Sequence, residues 1–216
     1  MGASTARGAA MKWLLNNWDQ VFEALGQHIV IALTSLAIAF AISLIVGIWA
    51  ARHEGVFRAA IVVTGILYTV PTLAFLALLI PIVGLGRANA IICMVAFSLM
   101  IMIRNVAVGI RGVPAEVVDA GRGMGMTGFD VLTRIELPLA APVIVAGLRI
   151  ASVTVISVAV VAAYVNAGGL GTLIFNGISN DHAPKIWTGA LTACALAVAA
   201  DLSLARLEHW LRSRTA

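Results

Sequence analysis

The chain has 216 residues, of which 61% are hydrophobic and only 11% charged, and its mean hydropathy is +1.02. A water-soluble domain carries roughly 25% charged residues because its surface must be wetted. That deficit excludes a cytosolic enzyme and a nucleic-acid-binding domain, for which a net charge of +4 spread between long apolar runs is too dilute, and leaves a membrane protein.

Residues 1–10 read as a loose polar leader, and Met11 is a second candidate start. No apolar core of 7–15 residues precedes a small-residue cleavage site there, so a cleavable signal peptide is not expected. Leu14, Trp18, Val21, Phe22 and Leu25 then recur at helical spacing with Asn16, Asn17, Asp19 and Gln20 on the other faces. With Trp13 beside Trp18, this predicts an interfacial helix, and residues 1–26 are assigned to leader plus interfacial helix.

Runs without a formal charge cover residues 24–51, 59–86, 88–103, 150–180 and 186–200. A helical crossing needs about 20 apolar residues, and a β-barrel would instead need alternating strands of about ten. The unbroken Ala- and Leu-rich runs predict five helical spans at about 27–51, 59–83, 89–109, 142–165 and 186–206. Residues 27–206 thus form the membrane domain. Residues 207–216 form a cytoplasmic tail whose Leu207, Trp210 and Leu211 continue a second amphipathic, surface-docking stretch from Leu204. Cys93 and Cys194 lie inside apolar runs and read as small buried thiols. The four histidines, His28, His53, His182 and His209, have no metal-spaced companions, so no metal site is expected.

Lys and Arg mark the cytoplasmic side of a membrane protein. With five spans and the N-terminus outside, ten of the 14 basic residues fall inside and four (Arg7, Lys12, Arg87, Lys185) outside. The expected topology is a multi-pass protein of the cell membrane, N-terminus out and C-terminus in.

Residues 104–141 form the longest inside loop, and seven charges of both signs from Arg111 to Glu136 crowd into it. Ala115 to Arg122 reads as a short helix that Pro114 opens. Gly121, Gly123, Gly125 and Gly128 break it; Phe129 to Leu137 reads as a second short helix stopped by Pro138, and Pro142 starts the next span. Such a structured, glycine-punctuated loop with exposed Met124 and Met126 suggests a docking surface.

The stretch DAGRGMGMTGFDVLTRIELP, residues 119–138, resembles the EAA loop of ATP-binding-cassette (ABC) importer permeases. Asp119, Ala120 and Gly121 stand for the acidic–Ala–Ala element, with Gly121 departing from its second alanine. Gly125 stands for the following glycine, and Ile135, Leu137 and Pro138 for the closing Ile-x-Leu-Pro. YTVPTLAFLALLIPIVGLG (68–86), IRNVAVGI (103–110) and AGGLGTLIFNGI (167–178) are similar to the glycine betaine/carnitine/choline branch of those permeases. The resemblance spans about residues 11–214. It implies an all-α membrane protein with five transmembrane helices in the type I ABC importer permease fold, carrying a cytoplasmic coupling loop at 111–138. It further implies three kinds of partner: a second permease copy or homologue, a cytoplasmic ATP-binding subunit gripping Asp119–Ala120–Gly121, Met124–Gly125–Met126 and Ile135–Leu137–Pro138, and a separate extracytoplasmic solute-binding protein.

No G-x-x-x-x-G-K-[ST] phosphate loop exists in the chain, because no Lys-Ser/Thr follows Gly168-Gly169-Leu170-Gly171. ATP and Mg are therefore expected on the partner, with no cofactor here and no catalytic residue. Pathway or gate candidates fall into two groups. Pro71 should kink the second span, Thr69 and Thr72 can satisfy freed backbone groups, and Tyr68 offers an aromatic face for a quaternary ammonium. On the outer side, Tyr164, Asn166, Gly168, Gly169 and Gly171 form a turn leading into a short re-entrant or surface helix. Near the inner ends of the spans, Asp201 is expected to pair with Arg104 or Arg149. The competing readings are a permease for another small polar solute (an amino acid or sulfonate), a secondary transporter or channel, and a non-transporting scaffold. The second would call for intramembrane charge relays or inverted repeats, which the spans do not display.

Overall fold

The computed structural model describes residues 12–13 and 16–215; the leader, the alternative start and Leu14 lie outside the described residues. The described chain is helical. In order it runs α1 (Trp18–Arg52), α2 (Glu54–Thr69), α3 (Thr72–Val83), α4 (Arg87–Arg111), α5 (Ala115–Gly123), α6 (Gly128–Val131), a π-helical turn (Leu132–Glu136), α7 (Leu137–Ala162), a 3₁₀ turn (Ala163–Val165), α8 (Leu170–Ser179) and α9 (Ala183–Thr215).

α1 and α4 form the centre. The buried residues of α1 run Val21, Ala24, His28, Ile31, Ala32, Ser35, Ala39, Ser43, Gly47 and Ala50, a three–four spacing of mostly small side chains. Small residues let backbones approach, and a Cβ on Gly47 would lie 2.6 Å from Val106 Cβ of α4. α7 packs on the other side of α4, where a Cβ on Gly109 would meet Ala140 at 3.2 Å. The central cluster of Ile31, Leu76, Met94, Phe97, Val155 and Ala159 draws on α1, α3, α4 and α7. α9 lies outside, against α7 and α8. Large apolar side chains such as Ile45, Val63, Ile82 and Val198 stay exposed, as lipid contact requires. Hydroxyls within the helices satisfy themselves on the preceding turn: Ser35 Oγ donates to Ile31 O at 2.9 Å and Ser98 Oγ to Met94 O at 2.8 Å.

Three sequence expectations change. The second span is broken, not kinked: α2 and α3 meet at 98° across Val70 and Pro71. Pro71 has no N–H, and it forces Val70 out of the helical region (φ −67°, ψ 128°), while Pro71 itself is extended (φ −56°, ψ 131°). Second, Pro138 does not stop a helix. Gly128–Val165 is continuous, because the wider π turn, with Leu137 N–H donating to Leu132 O, gives the ring of Pro138 room against the preceding carbonyls. The fourth span therefore begins before Pro142. Third, the two amphipathic ends are not separate helices: α1 runs unbroken from Trp18 and α9 runs through Leu211 to Thr215, so each is the outer turns of a span. Cys93 is buried as expected, but Cys194 is exposed, in a groove that α9 forms with α7 and α8.

Hydrogen bonds between helix ends fix how often the chain crosses. At one face, Arg111 at the end of α4 donates to Ala50 O and Ala51 O at the end of α1 and pairs with Glu54 at the start of α2. At the other, Gly86 N–H, before α4, donates to Val165 O after α7 at 2.7 Å, and Asn89 Nδ2 of α4 donates to Gly84 O after α3 at 2.9 Å. α1 and α4 thus run in the same direction, and the bent α2–α3 pair carries the chain back between them as one crossing. α7 and α9 supply the fourth and fifth.

Candidate functional site: the loop after α4, a broken span and a glycine turn

The loop after α4 is built by capping chemistry. α5 begins after Pro114, which occupies the cap position rather than the first helical one. Met126 N–H donates to Gly121 O at 3.2 Å and Gly125 N–H to Arg122 O at 2.9 Å, the paired bonds of a Schellman end, with Gly125 in the left-handed region at φ +83°. Two residues later α6 starts with a capping box. Asp130 N–H donates to Thr127 Oγ1 and Thr127 N–H to Asp130 Oδ2, each at 3.2 Å. The Thr127 hydroxyl also donates to Asp130 Oδ2 at 2.5 Å; this bond first, then the one from Thr127 N–H, with Arg134 adding to them, holds the Asp130 carboxyl below its ordinary pKa. The Thr-x-x-Asp spacing is a signal in the sequence that the reading above passed over.

Gly121 is where α5 lies down on the following helix. A Cβ there would stand 2.5 Å from Ile135 Cδ1 and 3.2 Å from Met126 Sδ. The departure from alanine thus seats α5 close to Ile135 and Met126, and an alanine would need only the end of Ile135 to swing aside. Met124 and Phe129 remain 76% and 73% exposed, whereas Met126, expected to be exposed, is half-buried against Gly121; with the Asp119–Arg122 pair on α5, the loop presents two large apolar side chains in a charged frame. Behind it Glu136, in the π turn, is buried and takes both guanidinium nitrogens of Arg52 at the end of α1, Nη1 donating to Oε1 at 2.8 Å. Leu137 and Pro138 follow at the start of α7. The loop is thereby tied to α1, a link absent from the sequence reading. Deeper along α7, Arg149 Nε donates to Asp201 Oδ1 at 2.5 Å and Nη2 to Oδ2 at 3.0 Å, with Glu208 3.5 Å from Nη1. Asp201 is thus held by Arg149 and not by Arg104.

At the break in the second span, Tyr68 leans on Phe97, ring centroids 5.7 Å apart, and Phe75 of α3 meets the same ring at 5.8 Å. Thr69 Oγ1 donates to Ile66 O at 2.8 Å and Phe75 N–H to Pro71 O at 2.9 Å, so the severed ends are partly satisfied locally, and Thr72 opens α3. Tyr68, with exposed Arg104 and Ile150 and with Met100, Ile101 and Asn105, also lines an open groove of about 400 Å³.

At the opposite face, Asn166 turns into the left-handed region at φ 60°, followed by Gly168 at φ 88° and Gly169 at φ 82°. Gly171 touches α7 so closely that a Cβ would be 2.0 Å from Val160 O. Gln27 and His28 of α1 clamp this turn: Gly169 N–H donates to Gln27 Oε1 at 3.1 Å and Leu170 N–H to His28 Nδ1 at 3.3 Å. His28 Nε2 is 3.2 Å from Ile156 O, so its proton sits on Nε2 and the ring joins α1, α7 and the turn. Tyr164 stands exposed against Phe175, ring centroids 6.1 Å apart. The structure therefore does not bring the two pathway groups together: Tyr68 belongs to the broken span and Tyr164 to the outer turn. Among the described residues no three His, Cys, Asp or Glu side chains are placed to hold a metal ion.

The family of binding-protein-dependent transport system inner membrane components matches residues 43–215. The chain belongs to this family. This permease is 38% identical over 183 residues to a carnitine transport permease protein of Listeria monocytogenes, covering 85% of this chain and 84% of that protein. It is 33% identical over 199 residues to the glycine betaine/carnitine/choline transport system permease protein of Bacillus subtilis strain 168, covering 92% of each. It is also 33% identical over 201 residues to an osmoprotectant import permease protein of Salmonella typhimurium, covering 91% and 94%. Among solved structures, a chain of the MetNI methionine ABC transporter in an inward-facing conformation matches with a TM-score of 0.79 at 20% identity, over 98% of this permease and 99% of that chain. An amino acid ABC transporter chain matches with a TM-score of 0.70 at 13% identity, over 93% and 96%. The fold is that of the type I ABC importer permeases, and the chain is a transport component of a membrane, not a scaffold.

Proposed function

We propose that this permease forms the path for a quaternary amine osmoprotectant, such as glycine betaine, carnitine or choline, in an ATP-driven importer. The observation that carries the reading is the near full-length similarity to permeases named for those solutes, covering at least 84% of each partner in the alignment. The likeness to methionine and amino acid transporters is one of fold alone and gives the amino acid alternative no separate support.

In this reading the charge-rich face is cytoplasmic and the N-terminus lies outside. A cytoplasmic ATPase binds ATP and Mg and docks on the loop from Asp119 to Pro138, meeting Met124, Met126 and Phe129. Its closing motion enters through α5, passes by Gly121 to Ile135 in the π-helical turn, and reaches α1 through the Glu136–Arg52 pair. Rigid elements that can rearrange as bodies are what such coupling needs, and the Schellman end and capping box make this loop one. A separate extracytoplasmic binding protein delivers solute to the face carrying the glycine turn, and a second permease copy or a homologue completes the path.

Uptake of labelled betaine, carnitine and choline by the complex reconstituted with its ATPase and binding protein tests the reading. Import of at least one of the three, dependent on ATP, is expected. Import of an amino acid or sulfonate and none of these solutes would overturn the substrate class. An ATPase that stays bound when residues 119–138 are replaced would overturn the docking surface.

A further inference from the structure

At the broken span Tyr68, already a pathway candidate, shares its groove with Arg104 and Asn105, which the coupling and gating roles leave unused. Arg104 lies seven residues before the end of α4 at Arg111, about 10 Å along the helix, and so within the membrane's thickness. Arg52, Arg111 and Arg149 each face a carboxylate, on Glu136, Glu54 and Asp201. Among the described residues Arg104 takes no ion-pair partner, and it lines the groove instead. An unpaired cation in a span is costly, and such residues line water-filled routes for ions and solutes.

The surroundings are shaped for a polar occupant. Asn105 is seated on Gly147, where a Cβ would come within 2.5 Å of its own Cβ. Its amide donates to Ile101 O at 2.7 Å, which fixes the side chain at the wall. Tyr68 supplies an aromatic ring, and the non-helical residues Val70 and Pro71 follow it within three positions. Non-helical backbone at membrane depth is tolerated only where protein buries it or water lines it. A guanidinium fork matches a carboxylate, and an aromatic face attracts a quaternary ammonium. About 400 Å³ is room for a small molecule carrying both groups.

We propose that this groove binds small zwitterions, with Arg104 holding the carboxylate and Tyr68 facing the quaternary ammonium. The inference rests on the quaternary amine reading above and adds a discrimination to it. Betaine and carnitine carry a carboxylate; choline carries a hydroxyl in its place, which takes at most one neutral hydrogen bond from Arg104 while the net cation is repelled by it. The permease is then a second selective step after the binding protein, favouring the carboxylated solutes.

The test is equilibrium binding of labelled glycine betaine to the permease–ATPase complex in nanodiscs, without binding protein, with carnitine and choline as competitors. Saturable binding is expected, displaced by carnitine, and by choline only at tenfold or higher concentration. Arg104→Gln should weaken betaine at least tenfold while leaving choline unchanged or tighter. Arg104→Lys, which keeps the charge but loses the fork, should fall between and serves where the Gln variant does not assemble. Tyr68→Leu should weaken betaine and choline alike, and Tyr68→Phe neither. Equal loss of betaine and choline with Arg104→Gln, or no loss with either variant, overturns the proposal. So does a complex that imports betaine with its binding protein but binds none saturably without it. A complex that imports none of the three solutes removes the quaternary amine reading and this inference with it.

Discussion

The Arg52–Glu136 pair predicts an asymmetry that a solvent-exposed ion pair would lack. The Glu136 side chain is 3% exposed and the Arg52 side chain 40%. Arg52→Gln strands a carboxylate that water cannot reach, a change that costs about 3–5 kcal/mol when a buried charge loses its partner. Glu136→Gln leaves a guanidinium with much of its surface in water and an amide oxygen still able to accept a bond, so its cost should be about 1 kcal/mol, the scale of one neutral-for-charged hydrogen bond. The double Gln variant removes both charges and should recover about 1–2 kcal/mol of the Arg52→Gln loss, an interaction energy of about 2–3 kcal/mol. Thermal unfolding of the purified permease in detergent measures this. At about 2–4 °C per kcal/mol for a chain of this size, Arg52→Gln should lower the midpoint by roughly 6 °C or more and Glu136→Gln by roughly 2–4 °C. Arg52→Gln should also uncouple: ATP turnover in the assembled complex should depend less on loaded binding protein. If Glu136→Gln costs as much as Arg52→Gln, or if the two single losses simply add, the burial argument fails.

Four further outcomes follow from the geometry. Gly125→Val places a β-branched residue at φ +83°, a penalty of roughly 1–2 kcal/mol in the left-handed region; membrane insertion should persist while uptake falls at least tenfold, and normal uptake would refute the coupling role. The Asp130 carboxyl is held below its ordinary pKa, so its contribution to the cap is present above the unfolded value near ~3.9 and is lost as pH falls through the folded one. The protection factors of the amides at 127–131, taken relative to the intrinsic exchange rate at each pH, should therefore hold at neutral pH and fall in acid below about pH 4, and Thr127→Ala should lose that protection at neutral pH as well. Gly171→Ala drives a Cβ to 2.0 Å from Val160 O and should destabilise by about 3 kcal/mol or fail to fold, whereas Gly123→Ala, with nothing within 4 Å, should be neutral or stabilising by about 0.5–1 kcal/mol; unfolding midpoints separate the two. Asp201→Arg should impair assembly, and adding Arg149→Asp should rescue it only in part because Glu208, 3.5 Å from Arg149, would then face a like charge; full size-exclusion recovery in the triple variant with Glu208→Gln would confirm the network, and no rescue in either would refute it.

The features legible from sequence alone are those set within a few residues along the chain. Unbroken apolar runs must be helical in lipid because the backbone has no other partner, and this gave the span count. Pro71 marked the place of the break because the missing N–H and the restricted preceding residue are local effects, although the 98° angle was not foreseeable. Thr127 and Asp130 likewise carry their capping box in their spacing. What only tertiary structure decided is which helix faces meet. Lipid is as apolar as a protein core, so hydropathy does not separate a buried face from a lipid-facing one. Close approaches do: Gly47 against Val106 and Gly147 against Asn105 fix the rotation of α1, α4 and α7. That rotation brings Arg52 to Glu136, 84 residues away, gives Asp201 to Arg149 rather than Arg104, and sets His28 on the turn at Leu170, 142 residues on. It leaves Arg104 lining the same groove as Tyr68, two side chains on different helices that no periodicity along the chain brings together.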